Sequence, residues 1–266
     1  MARNMAMRQT RQRTAKDPPN SVGRIPARTK NPRKAALPAS NRLLSALPVK
    51  DRRRFLAGCH VLDLKLGDIL CEVGDPVRHV YFPLTGFISM VAPNDKGSGL
   101  ELGLIGNEGM FGVGLLMGVG VAPSRGLVQG TGASLRMDAS LFRRELDLAP
   151  QLRRKLNRYA FVLMAQLGQL ASCVRFHRLP ARLARWLLVT QDRAHSDVFR
   201  VTHELLAMML GVRREGVTEA AVDLQRRKLI RYSRGELTVV DRAGLEAASC
   251  ECYVNANQTY ESILKT

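Results

Sequence analysis

Arg213, Arg214 and Glu215 stand together just after Gly211-Val212, between two short stretches whose apolar residues repeat at helical spacing. Arginine carries a rigid fork of donors that fits guanine O6 and N7, and glutamate accepts from cytosine N4. At the start of a helix these residues point away from its apolar side, where they can meet base edges. Thr218 and Glu219 follow one turn later. Arg213, Arg214, Glu215, Thr218 and Glu219 are therefore the candidate DNA-contacting residues. The same pattern also fits an ordinary helical hairpin with solvated arginines, and the basic surplus of this half of the chain favours DNA.

Other reactive side chains form no comparable set. The five cysteines are odd in number and scattered, which argues against a disulfide framework and for a reducing, cytoplasmic setting. Cys250 and Cys252 are a close pair, but two thiolates close no metal site without partners. Cys59, Cys71 and Cys173 lack a tight ligand spacing, and no cysteine precedes Cys59, so no metal site or iron–sulfur cluster is expected. His60, His79 and His177 carry nothing that singles one out as a haem ligand. Redox sensing through Cys71 or Cys250 has no support in the spacing. There is no phosphate-binding loop, no His-Glu-x-x-His and no nucleophile–base signature, and Ser124 has no paired base. No catalytic residue and no cofactor are identified, and an enzyme is not expected.

The elements that must hold the candidate readers follow from charge and periodicity. The 266 residues carry a net charge of +18, and its distribution is uneven. Residues 1–40 contribute +9, residues 41–150 only +1, and residues 151–266 the remaining +8. The first segment is proline-rich and lacks apolar periodicity, so it reads as a basic disordered tail, with a nucleic-acid-gripping arm as the functional alternative. Sixteen of the 22 glycines lie between Gly58 and Gly132, among short apolar runs, which is the signature of an all-β domain rich in tight turns. Leu62, Leu64 and Leu66 alternate with polar residues as a half-buried strand does. No apolar run approaches the ~18 residues of a membrane span.

The period changes after Asp138. Leu156, Ala160, Leu163, Leu167, Leu170 and Val174 recur at intervals of three and four, a coiled-coil seam on a long helix, read as the dimer interface. The alternative is packing on the chain's own β domain. A further helix spans about 180–193. Thr202 is placed to cap another helix, Gly211 to end it, and Val217, Ala221 and Leu224 face inward on the next. Two short amphipathic helices joined at one glycine make a helix-turn-helix. Arg226, Arg227, Lys228 and Arg231 lead into a short hairpin over 235–240, the wing of a winged helix, with cations suited to phosphates.

In this order, tail, β domain, seam helix and winged helix-turn-helix, the chain resembles the Crp/Fnr superfamily of bacterial transcription regulators over about residues 42–248. Three stretches carry the resemblance. They are Gly67-Asp68-Ile-Leu-Cys-Glu72-Val-Gly74-Asp75, Glu108-Gly-Met-Phe-Gly112 and Gly211-Val-Arg-Arg214-Glu215-Gly-Val217. It implies an α+β fold: a cyclic-nucleotide-binding-type β jelly roll over 41–149, a dimerisation helix over 150–176, a winged helix-turn-helix over 177–248 and a C-terminal extension over 249–266. It also implies a homodimer on palindromic double-stranded DNA, with RNA polymerase a candidate partner and no membrane.

Residue by residue, Arg214 and Glu215 fall on the family's base-reading Arg-Glu pair. The third reader, usually Arg, falls on Glu219, and Arg213 stands where a capping Ser is common. The effector pocket departs further. Gly112 keeps the family's glycine, but its ribose-binding Glu falls on Val113 and its phosphate-binding Arg on Pro123. Ser124 survives and Arg125 is displaced. Gly112, Val113, Ser124 and Arg125 are the candidate effector-pocket residues. A buried cyclic phosphate needs a cation and oriented donors, so tight cyclic-nucleotide binding is not expected. The competing functions are a nonspecific charge-driven nucleic-acid binder and a regulatory subunit without specific DNA readout.

Overall fold

The computed structural model describes residues 40–94 and 99–265, so the N-terminal tail expectation lies outside the described residues. Asn41 stands near the start of the described residues. Its side chain accepts from the amides of Leu43 and Leu44 and donates to the carbonyls of Pro83 and Gly109. One buried amide thus caps α1 (Arg42–Ser45) and ties it to the β domain. α2 (Val49–Ala57) follows.

The β domain is an antiparallel jelly roll. β1 (His60–Leu64), β3 (His79–Pro83) and β7 (Gly132–Asp138) form one sheet in the order β1-β7-β3. The other sheet runs β2-β6-β4-β5, from β2 (Ile69–Cys71), β4 (Phe87–Pro93), β5 (Gly99–Ile105) and β6 (Arg125–Gly130). Leu64, Tyr81, Ile88, Ile105, Phe111 and Val128 fill the space between them. A larger core lies where the first sheet meets the helices. There Phe55, Phe82 and Phe142 meet as tilted and edge-to-face rings 5.3–6.5 Å apart.

α3 (Ala139–Leu148) leaves β7, and α4 (Pro150–Phe176) starts with proline in its first turn, where the missing N–H costs nothing. α4 divides the seam that the sequence suggests. Leu156, Ala160 and Leu163 are buried within the chain's own core, Leu170 is half-buried, and only Leu167 and Val174 are exposed. Its solvent side carries a different stripe, Phe161, Met164, Leu167, Gly168, Ala171 and Val174.

The C-terminal half contains α5 (Leu179–Ala194), β8 (Val198–Arg200), α6 (His203–Leu210) and α7 (Arg214–Arg226). β9 (Ile230–Ser233), β10 (Glu236–Val239) and α8 (Arg242–Ala248) complete it. The wing is three-stranded, in the order β8-β10-β9; β8 has no counterpart in the sequence reading. α9 (Cys252–Leu264) then turns back along α4. It is held by the Tyr260 hydroxyl donating to the carbonyl of Glu108 at 2.8 Å and by Arg42 over the Tyr260 ring.

Candidate nucleic-acid interface

The helix-turn-helix is built as its residues dictate. Thr202 caps α6, its hydroxyl accepting from the amide of Leu205 at 3.1 Å. Gly211 ends the helix at φ 64°, ψ 41°, a left-handed conformation that costs other residues ~1–2 kcal/mol. Buried Arg182 of α5 donates to the carbonyl of Leu210 and fixes that end from behind. α7 buries Val217, Ala220, Ala221 and Leu224 against α5 and α6. Its opposite face is left to solvent.

That face opens with Arg213, Arg214 and Glu215, all exposed, and continues through Thr218, Glu219 and Val222. Arg213 occupies the cap position of α7 with no side-chain cap bond. The Thr218 hydroxyl, by contrast, is already engaged. It donates to the carbonyl of Arg214 at 3.1 Å and lies 3.0 Å from Nδ1 of His203. His203 stacks on Tyr232 of the wing at 4.5 Å, and burial, followed by the charge of Arg214, lowers its pKa. Thr218 and His203 thus brace α7 against α6 and the wing. Val222, half-exposed on this face, is a residue the sequence reading missed. Its signal was an apolar side chain off the buried register, and a valine there suits a thymine methyl.

Cations ring the face. Arg200, Arg213, Arg214, Lys228, Arg231 and Arg234 are exposed, and among the described residues no carboxylate lies in ion-pair distance of any of them. Arg226 and Arg227 instead share Asp223. The wing tip, Arg234-Gly235, has positive φ at both residues, as a two-residue hairpin matching strand twist requires.

Behind the reader, α6 packs on the β2-β6-β4-β5 sheet through a buried polar junction. The Glu101 carboxylate accepts from the Ser89 hydroxyl at 2.6 Å and from the Trp186 indole at 2.9 Å. Met209 of α6 covers Ser89 and Gln129. Burial raises the Glu101 pKa, against the pull of Ser89.

The candidate effector residues lie apart from this junction. Gly112 begins a 3-10 turn over Val113–Met117, and Val113 packs into the larger core. Ser124 is buried, and Arg125 is paired with Glu72 at 2.9 Å. Phe111 lies across the jelly-roll interior, so close to β6 that a Cβ on Gly126 would come within 2.5 Å of its ring.

The cysteines divide in two. Burial raises the pKa of Cys59 to about 12 and also raises that of Cys71, which suits neither for thiolate chemistry. Cys250 and Cys252, which spacing left without partners, meet Cys173 and His177 across the fold.

A winged helix stands behind a jelly roll, with one face of α7 open to solvent among exposed cations. A Crp-like helix-turn-helix domain matches residues 181–248. Transcriptional regulator SdrP of Thermus thermophilus is 26% identical over 193 residues, spanning 70% of this chain and 92% of SdrP. Among solved structures, FixK2 from Bradyrhizobium japonicum superposes with a TM-score of 0.62 at 15% identity, covering 72% of this chain and 98% of FixK2. The c-di-GMP-responsive global regulator CLP of Xanthomonas campestris gives 0.60 at 20% identity, covering 72% and 99%. At these identities the structural likeness bears on fold. Residues 181–248 thus carry a Crp-like helix-turn-helix domain, and over most of its length the chain is similar to a transcription regulator. Among the described residues no helix is long and apolar enough to cross a membrane.

Proposed function

We propose that the chain acts as a homodimer that reads a palindromic DNA site, with a sensory β domain that does not bind cyclic nucleotides in the usual way. The observation that carries this is the open face of α7, where Arg213, Arg214 and Glu215 are exposed beside wing cations that pair with no carboxylate among the described residues. Arg214 and Glu215 read base edges, Arg213 and Glu219 flank them, and Val222 makes an apolar contact. Thr218 positions the helix through Arg214 and His203. Lys228, Arg231 and Arg234 take phosphates.

The dimer forms through the exposed stripe of α4, Phe161, Met164, Leu167, Gly168, Ala171 and Val174, rather than through Leu156, Ala160 and Leu163, which the chain's own core consumes. Gly168 and Ala171 leave room for close approach of two helices. A two-fold axis there presents two reader helices to successive major grooves ~34 Å apart.

The β domain lacks the means to hold a cyclic phosphate. Arg125 is paired with Glu72, and the aromatic side chains Tyr81 and Phe111 share the interior with aliphatic ones. Its state reaches the reader through the Glu101 junction with α5 and α6.

The test is binding to a duplex from the chain's own upstream region by fluorescence anisotropy, at several salt concentrations. Inserting half a helical turn between the half-sites should abolish tight binding, because it turns one groove away. Equal affinity for a scrambled duplex, lost at moderate salt, would replace this reading with charge-driven binding alone.

A further inference from the structure

Cys173 lies in the last turn of α4, His177 caps that helix, and Cys250 and Cys252 flank the start of α9. The return of α9 along α4 brings these distant residues together. Three Sγ atoms and a ring nitrogen of His177 all lie within 4.8 Å of one another. Cys173 Sγ is 3.7 Å from Cys250 Sγ, and Cys252 Sγ is 3.5 Å from His177 Nδ1. A tetrahedral zinc ion with ordinary Zn–S and Zn–N bonds has edges of about 3.8 Å between sulfurs and about 3.5 Å between sulfur and nitrogen. The ligand atoms already stand at that spacing. They enclose one ion and leave no room for bridging sulfides.

Two further observations point the same way. The outer nitrogen of His177, Nε2, lies 3.0 Å from the Glu251 carboxylate. That contact holds the Nε2–H tautomer and aims the Nδ1 lone pair at the sulfurs, the arrangement found behind metal-bound histidines. The three sulfurs also form a buried cluster of their own, separate from the larger apolar cores.

We propose that Cys173, His177, Cys250 and Cys252 form a closed, structural zinc site. Binding releases the thiol protons to solvent and leaves the oxidation states unchanged. The site staples the end of α4, and the hinge into α5, to the C-terminal helix.

The test is metal analysis of the full chain, purified with reductant, reloaded with Zn²⁺ and desalted. About one zinc per chain is expected, together with a tetrahedral, thiolate-rich absorption spectrum on Co²⁺ substitution. Glu251→Gln, on an exposed side chain, should keep the helical circular dichroism while weakening zinc in a chelator competition by about 10–100-fold. Cys252→Ser should lose stoichiometric binding. The proposal is overturned if the reduced, reloaded chain retains no zinc and gives the spectrum of aqueous Co²⁺. It is equally overturned if Cys252→Ser holds zinc as tightly as the parent.

Discussion

Phe161→Ala separates the two halves of the α4 seam. Phe161 is 54% exposed in the single chain. A covered aromatic side chain buries ~150–250 Å², so the open half of this ring offers ~100 Å² to a partner. At ~25 cal/mol per Å² that is about 2.5 kcal/mol per copy, and a two-fold axis counts it twice. Truncation to alanine keeps part of the contact, so the dimer should weaken by about 3–4 kcal/mol, a several-hundred-fold rise in Kd. Sedimentation equilibrium over a range of chain concentrations reads this directly. Leu156→Ala is the contrast, because Leu156 is fully buried in its own chain. It should cost ~2–5 kcal/mol of folding stability and leave association between folded chains unchanged. Urea melts of the two variants must share one chain concentration, since dimer stability depends on it. An unchanged Kd for Phe161→Ala would refute the proposed face. So would a Leu156→Ala chain that melts normally but no longer dimerises.

Three further expectations follow from particular contacts. Gly211→Ala forces a left-handed alanine and brings a Cβ to 3.0 Å from Leu100 Cδ1, so urea denaturation should show a loss of about 1–2 kcal/mol. Glu101 has a raised pKa, so between the ordinary glutamate range and that raised value the folded state holds the extra proton. Stability therefore falls as pH rises through this window, and Glu101→Gln should remove that slope from a series of thermal melts. Isothermal calorimetry with cyclic AMP and cyclic GMP should give no heat, and Phe111→Ala, though it opens space, should not restore binding because the Arg125 guanidinium is held by Glu72; micromolar affinity in the parent chain would overturn this.

Much of this architecture is legible in the sequence because it is written in local signals. Thr202 and Gly211 mark α6 by capping chemistry, the dense glycines mark the jelly-roll turns, and Pro150 marks the start of α4. What the sequence could not supply is which partner each face finds. The three-four spacing of Leu156, Ala160 and Leu163 is the same whether the neighbour is a second chain or the chain's own β domain. Only the fold shows that α9 and the first sheet take that side. The same holds for α9, whose Tyr253, Asn257, Tyr260 and Leu264 repeat at helical spacing but give no sign of the helix they pack on. β8 is three residues long, too short for its alternation to register, and its place is fixed by pairing with β10. Cys173 and Cys250 meet across 77 positions of chain, a distance no spacing rule reads. Among the candidate readers, Arg213, Arg214, Glu215 and Glu219 stand open to solvent. The engagement of the Thr218 hydroxyl depends on His203, which only the tertiary structure brings alongside.

A specificity profile of Arg214→Ala against the parent decides whether Arg214 reads a base. Both proteins would be titrated with duplexes carrying each of the four base pairs at every half-site position. The parent should favour one base at a position by about 1–3 kcal/mol, and Arg214→Ala should flatten this preference there and nowhere else. A variant that keeps the full preference, or loses affinity equally for every sequence, would show Arg214 to be a phosphate contact and contradict the claim.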